Sequence, residues 1–128
     1  MNDYDGMTVS VKVVVGRNDA EFGPGTSQLL ALIDQCGSVR HAAEAMEISY
    51  GKTWKIIRDV EDALGQQVVS RQQGGPRGGS AFVTEAGHEL IRRYDEMTAD
   101  IKEFANKRFD EVLGVELASD NQYGERIS

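Results

Sequence analysis

The sequence predicts a mostly α-helical fold with one small β wing, in the order strand, three compact helices, hairpin and long helix. Three observations support this order. Apolar residues recur at helical spacing from Leu29 to Leu64, and Gly37 interrupts the pattern. The stretch GGPRGG separates two short runs of strand-forming residues. From Thr84 onward, apolar residues keep helical spacing without a proline.

The N-terminal part of the chain, residues 1–25, is expected to hold a strand and a loop. The stretch TVSVKVVVG alternates weakly and is rich in valine, which predicts a strand from Val9 to Val15. The next stretch, RNDAEFGPG, is rich in turn-forming residues and is therefore predicted to be a loop.

Hydroxyl residues and glycines mark the ends of the three predicted helices. Thr26 or Ser27 can begin the first helix, because a hydroxyl oxygen accepts a hydrogen bond from a backbone N–H group of the first turn. The other predicted ends are Gly37 for the first helix, Ser38 for the start of the second, and Ser49 and Gly65 for the third.

A hairpin and a long helix complete the predicted fold. The stretch VVSRQQGGPRGGSAFVT is expected to form strand, tip and strand, with Arg77 as the one long side chain of the tip. Three helices followed by such a hairpin is the arrangement of a winged helix-turn-helix domain, which we expect at residues 26–84. We assign residues 85–114 to a long helix and residues 115–128 to a polar tail.

Composition indicates a small soluble protein of the cytoplasm. The 128 residues contain one cysteine, Cys36, which excludes a disulfide within the chain; it is either a small inert side chain or a reactive thiol. No apolar run is long enough to span a membrane, and the first residues carry acids where a signal peptide carries cations.

The charge is unevenly distributed. The net charge is −7, which argues against a nucleic-acid partner when taken alone. Residues 1–37 sum to −3 and residues 85–128 to −5, whereas residues 38–84 hold six cations and five acids and sum to +1. The charge of residues 38–84 is therefore more informative about a binding partner than the net charge of the whole chain.

Helix periodicity places the cations of the third helix opposite its apolar side. Thr53, Ile57 and Val60 share one face, and Lys52 and Arg58 lie on the other. Cations near the start of a helix are disfavoured by the helix dipole. Their presence therefore indicates that they serve binding to a partner rather than stability of the fold. The face is either the recognition surface of a DNA-binding helix or an ordinary solvated surface in which Arg58 pairs with an acid at i, i+4, Asp62.

The DNA-binding interpretation identifies ten candidate contact residues, which could meet phosphates or base edges. They are Ser38, Ser49, Tyr50, Gly51, Lys52, Thr53, Lys55, Arg58, Arg71 and Arg77. Short side chains at Ser49 and Gly51 would allow close approach of the helix to DNA. Trp54, which flanks the apolar side, is interpreted as a core residue rather than as a base-stacking one.

The apolar residues of the long helix follow a 4-3-4-3 rhythm. These residues are Leu90, Tyr94, Met97, Ile101 and Phe104. They either pack within one chain or form the interface of a homodimer. We favour the dimer, because so small a core has little chain to cover such a helix.

Two motifs carry a resemblance to a known family. The stretch ISYGKTW and the stretch GGPRGGSAFVTEAG, together with the intervening chain, closely resemble the N-terminal DNA-binding domain of the ModE-type molybdate-responsive transcriptional regulators, and more distantly the LysR-type regulators. The resemblance covers about Val9 to Leu113. It implies a homodimer joined largely through the long helix, bound to a palindromic double-stranded promoter site.

Two departures from the family pattern limit what the resemblance implies. The family usually has a lysine or arginine directly after the tyrosine, where this chain has Gly51. The family's molybdate-binding domains follow the long helix, whereas this sequence ends at Ser128, so we expect DNA binding and dimerisation without molybdate sensing. The alternative is a winged-helix adaptor that binds proteins and has lost DNA binding.

Other site types are not indicated. GGPRGG lacks the GK[ST] of a nucleotide-binding loop and precedes a strand rather than a helix. His41 and His88 have no further ligands at metal-binding spacing, and no nucleophile–base set is visible. We therefore expect neither an enzyme nor a cofactor.

Overall fold

A computed structural model of the chain describes residues 3–72 and 80–114. Within these ranges it contains four helices and two two-stranded antiparallel sheets, which confirms the predicted class. The chain forms two compact units. One is Lys12–Asp95, and the other combines the N-terminal segment up to Val11 with the chain from Glu96 onward. None of the helices in the described ranges is both long and apolar enough to cross a membrane.

The N-terminal strand lies later in the sequence than predicted. β1 is Val15–Arg17 and pairs with β2, Ala20–Phe22, across a two-residue turn in which Asn18 has a φ of 57°. Residues 9–14 form no strand, although their exposure alternates as the pattern predicts. Alternation reports which side chains face the protein, whereas a strand also needs a hydrogen-bonded neighbour. The predicted loop instead contains β2.

Helix α1, Pro24–Cys36, begins earlier than predicted. Gly23 is its N-cap and Pro24 occupies the first turn, where the missing N–H of proline costs nothing, so the predicted starts at Thr26 or Ser27 are wrong. The predicted end is confirmed, because Gly37 caps the helix with a φ of 71°. Only glycine adopts this left-handed conformation without strain.

Helices α2, Val39–Met46, and α3, Tyr50–Leu64, begin at the predicted serines. The Ser38 Oγ accepts a hydrogen bond from the His41 N–H group at 3.1 Å, and the Ser49 Oγ accepts one from the Lys52 N–H group at 3.0 Å. Gly65 ends α3 as predicted, with a φ of 77°. The starts of α2 and α3 and the end of α3 therefore follow local capping chemistry.

The predicted hairpin is present and is attached at its base to α1 and to the long helix α4, Glu85–Leu113. β3, Val69–Gln72, pairs with β4, Ser80–Val83; the tip between them, with Arg77, lies outside the described residues. We call this hairpin the wing. The carboxylate of Asp34 in α1 accepts hydrogen bonds from the Val83 N–H group at 3.1 Å and from His88 Nε2 at 2.9 Å.

The core of the Lys12–Asp95 unit is formed by the first three helices, the inner faces of both hairpins and the start of the long helix. Its fully or almost fully buried apolar residues are Phe22, Leu29, Leu30, Ile33, Val39, Ala42, Ile57, Val60, Val68, Val69, Ala81, Val83 and Tyr94. Glycine is required at Gly87, because a Cβ there would lie 2.7 Å from the carbonyl oxygen of Val68. The wing and the start of the long helix therefore pack in direct backbone contact.

Helix α4, Glu85–Leu113, is the predicted long helix, and its first half belongs to the core. Tyr94 is 5% exposed, packs edge-on against Phe22 and donates a hydrogen bond to the Val13 carbonyl oxygen at 2.7 Å. Its burial raises the pKa of the phenol. In the other unit, Val9 and Val11 lie beside Ala105 and Asn106 of the helix.

Candidate nucleic-acid interface

Helix α3 has one buried and one exposed face, as the helical spacing predicts. Thr53, Ile57 and Val60 are buried in the core of the unit. The opposite side is exposed at Gly51, Lys52, Lys55, Arg58 and Asp62. The buried side fixes the helix on the domain and leaves the basic side open to solvent. Leu64, the last residue of the predicted apolar pattern, is exposed at the end of the helix.

One predicted contact residue is not on this exposed face. Thr53 is fully buried, and its hydroxyl donates a hydrogen bond to the Ser49 carbonyl oxygen at 2.8 Å. The assignment of Thr53 as a DNA contact is therefore corrected to a core role, in which its hydroxyl bonds to the carbonyl oxygen of the capping residue. Its neighbour Ser49 is exposed; although its Oγ accepts the capping bond, its hydroxyl proton remains available to a phosphate oxygen.

The cations of the exposed face are largely unpaired. Lys55 Nζ lies 2.9 Å from the Asp59 carboxylate, while in the described ranges Lys52 and Arg58 form no ion pair. The alternative pairing of Arg58 with Asp62 is thus not formed. The Lys55 side chain is 70% exposed, and exposed i, i+4 pairs contribute only about 0.3–0.5 kcal/mol. A phosphate can therefore compete for Lys55.

Two aromatic rings at the start of α3 contact two arginines. The guanidinium of Arg40, in α2, lies 4.5 Å from the centre of the Tyr50 ring. Tyr50 packs edge-on against Trp54 with 6.5 Å between ring centres. The guanidinium of Arg71, in β3, lies 4.9 Å from the centre of the Trp54 ring. We call these four residues the aromatic–arginine cluster.

The cluster joins α2, α3 and the wing through ring contacts. Arg71 also donates a long hydrogen bond of 3.4 Å from Nη1 to the Tyr50 hydroxyl. Trp54 is half-buried, and its buried indole N–H has no acceptor among the described residues. Packing and the guanidinium above the ring therefore hold Trp54 in place, in keeping with the core interpretation.

Arg40 is the residue of this surface that the sequence interpretation missed. It is exposed and is the second residue of α2, where a cation opposes the helix dipole. The same signal singled out the cations at the start of α3, so it could have identified Arg40 as well. Ser38, the cap before it, is half-buried.

The five predicted dimer-interface residues fall into two groups. Leu90 is half-buried against the core and Tyr94 is part of it, so both side chains pack within one chain rather than facing a second copy. Met97 and Ile101 are each 37% exposed and Phe104 is 61% exposed. We call Met97, Ile101 and Phe104 the apolar stripe of α4.

Comparison with known proteins agrees with this geometry. Residues 27–88 match the family model of the bacterial regulatory helix-turn-helix protein, lysR family, which spans α1 to the start of α4. The chain is 32% identical over 106 residues to the molybdenum-pterin-binding protein MopB of Rhodobacter capsulatus, covering 83% of this chain and 39% of MopB.

Transcriptional regulators give similar matches. The chain is 34% identical over 98 residues to the transcriptional regulator ModE of Yersinia pestis, covering 77% of this chain and 36% of that protein. It is 34% identical over 87 residues to the DNA-binding transcriptional dual regulator ModE of Escherichia coli K12, covering 68% and 32%. The chain thus spans somewhat more than a third of the length of the first relatives it matches. Residues 27–88 therefore form a helix-turn-helix domain of the lysR family, and the chain is similar to the ModE and MopB proteins.

Proposed function

We propose that the chain binds double-stranded DNA sequence-specifically as a homodimeric transcription regulator of the cytoplasm. The observation that carries this proposal is the exposed basic side of α3, opposite the buried side that fixes the helix. The start of α3 would enter the major groove, where recognition helices of helix-turn-helix proteins contact base edges. The family relationship supports the same function.

The proposed contacts divide by chemistry. Lys52 and Lys55 would neutralise phosphates or donate to guanine acceptors, and Arg58 and Arg71 would bind phosphates further along the duplex. Ser38, Ser49 and Gly51 would allow close approach and offer hydroxyl and backbone N–H groups. Arg77 would add a phosphate contact from the wing tip.

The function is tested by titrating the chain with mixed genomic DNA fragments at low and moderate salt. We expect saturable binding that weakens steeply with salt, because each phosphate contact contributes about 0.9 to the slope of log K against log salt. Lys52→Gln with Lys55→Gln should lower both the affinity and the slope. Arg92→Gln with Arg93→Gln is the matched control, since it removes the same charge from exposed positions of α4.

The outcomes separate DNA binding from an adaptor function. An adaptor would show no saturable binding at either salt concentration, which would contradict the proposal. A Lys52/Lys55 variant that binds as tightly as the Arg92/Arg93 control would likewise remove the basic side of α3 from the interface.

The homodimer is proposed from the apolar stripe of α4. An exposed run of Met97, Ile101 and Phe104 on one helix is typical of a surface that a second copy covers. A twofold dimer would present its recognition helices to successive major grooves about 34 Å apart on a palindromic site.

The dimer is tested by replacing Ile101 and Phe104 with glutamate. Burying two carboxylates is prohibitive, so we expect a monomer in sedimentation and weaker DNA binding. Ala99→Glu with Lys107→Gln is the control, because it makes the same charge change at exposed positions of the same helix. A double glutamate variant that remains dimeric would contradict this interface.

A further inference from the structure

The aromatic–arginine cluster lies beside the proposed DNA-contacting side of α3. Tyr50 and Arg71 were predicted as DNA contacts, whereas Arg40 and Trp54 were not. Its members come from three elements: Arg40 from α2, Tyr50 and Trp54 from α3, and Arg71 from β3. The two guanidinium groups are exposed, and neither forms an ion pair within the described residues. The structure therefore holds two cations in defined places against aromatic rings, with no described carboxylate neutralising either one.

We propose that Arg40 is a further DNA-binding residue whose guanidinium, held against the Tyr50 ring, binds a backbone phosphate, and that Tyr50 positions it. This inference rests on the proposed function. An arginine has five N–H donors in a planar fork that matches two phosphate oxygens. A guanidinium centre 4.5 Å from the ring centre is at cation–π distance. Among the described residues no hydrogen bond or ion pair uses the Arg40 guanidinium, so its N–H donors are available to a ligand.

The same contacts change the role of Tyr50. One face of its ring is covered by Arg40, and its ring also packs against Trp54. Its hydroxyl accepts the hydrogen bond from Arg71. Tyr50 thus holds side chains of two neighbouring elements, Arg40 of α2 through its ring and Arg71 of β3 through its hydroxyl. Tyr50 therefore acts on DNA through the arginines beside it rather than through its own contact with a base.

Holding Arg40 in advance should matter for affinity. A free arginine side chain loses rotamer freedom when it binds, and a side chain already stacked on a ring loses less. A phosphate is the ligand that fits, because the group is exposed, cationic and next to the cap of α3, where backbone N–H groups also attract anions. The cluster would thus add one phosphate contact from α2 for each chain bound.

The test measures the salt slope and affinity of Arg40→Gln on a mixed-sequence DNA duplex, with thermal unfolding to check the fold. We expect the slope to fall by about 0.9 for each chain bound and the affinity to fall about tenfold. Arg93→Gln is the matched control, because it removes an exposed arginine of the same unit that contacts no aromatic ring of the described residues. Arg40→Lys should keep the slope, since it keeps the charge.

The role of Tyr50 is tested by a double-mutant cycle. Tyr50→Ala should weaken binding about tenfold, and adding Arg40→Gln should weaken it little further, because one residue acts through the other. Tyr50→Phe keeps the ring and should keep the affinity within about threefold. Independent effects that multiply to about a hundredfold would overturn the positioning role.

Failure of this inference is distinguishable from failure of the proposed function. The inference alone would be overturned if the wild-type chain binds DNA in a salt-dependent manner and the Arg40→Gln variant has the same affinity and salt slope as the Arg93→Gln control. Wild-type chain that shows no saturable binding would overturn the proposed function and, with it, this inference.

Discussion

Replacing Gly51 with alanine is expected to stabilise the fold and weaken DNA binding at the same time. Gly51 is the second residue of α3 and does not have a positive φ, so alanine fits its backbone. A Cβ there would meet no atom within 4 Å. Alanine is favoured over glycine in a helix by about 0.5–1 kcal/mol, because glycine loses more backbone entropy on folding.

The stability change is measured by thermal and urea unfolding at a fixed protein concentration, since dimerisation makes stability concentration-dependent. A gain of that size corresponds to a rise in Tm of about 2–6 °C. On DNA, the added methyl group would stand where the proposed function brings the helix against the groove. An added methyl in a closely packed contact costs about 1–3 kcal/mol, so we expect a loss of affinity of about fivefold or more.

Gly25→Ala is the control for this experiment. Gly25 is likewise the second residue of its helix, α1, and a Cβ there also has open space within 4 Å. It should give a similar stabilisation with unchanged DNA affinity. A Gly51→Ala variant that is stabilised and binds DNA as tightly as the Gly25→Ala variant would refute close approach at Gly51.

Two further predictions concern the contacts that hold the wing. Gly87→Ala should destabilise the fold by about 1–3 kcal/mol in urea unfolding, because its Cβ would lie 2.6 Å from Val83 Cγ1 and 2.7 Å from the Val68 carbonyl oxygen; unchanged stability would contradict this packing. The hydrogen bonds from His88 and from the Val83 N–H group lower the pKa of Asp34 below its ordinary 3.8, so its stabilisation is present above that pH and is lost as pH falls through the lowered pKa. Asp34→Asn should therefore be less stable than wild type near neutral pH, by about 1 kcal/mol or less because the carboxylate is 40% exposed. The difference in free energy of unfolding between the two proteins should narrow below pH 3.8. A difference that stays constant with pH would contradict this role of Asp34.

Local chemistry made much of the fold predictable. Ser38, Ser49, Gly37 and Gly65 cap helices as expected, because capping depends on only a few neighbouring residues. The exposed and buried sides of α3 follow from helical spacing alone. The wing strands also follow from their own residues and the glycine-rich tip.

The errors arose where distant residues decide the outcome. The valines before β1 alternate like a strand, but the segment that pairs with β1 is the short stretch after the Asn18 turn. Tyr94 fits the apolar rhythm of α4, yet its ring packs on Phe22 and its hydroxyl binds the Val13 carbonyl oxygen. Such contacts cannot be read from helical spacing.

In the candidate site as well, features within one helix were predicted and contacts between elements were not. The cations of α3 were identified from one helix, because spacing places them together. The contact of Arg40 with Tyr50 joins two helices, and that of Arg71 with Trp54 joins the wing to α3. Thr53 was assigned to the surface as well as to the apolar side, and burial in the core decides between the two.

The most direct test of the central claim is site-specific photocrosslinking of the intact chain to double-stranded DNA. A photoreactive residue would replace Arg58 on the exposed side of α3 or, as the control, Arg93 on α4. We predict DNA adducts from position 58 that disappear at high salt, and none from position 93. Equal labelling from both positions, or none from position 58 under conditions where the chain is bound, would contradict the account.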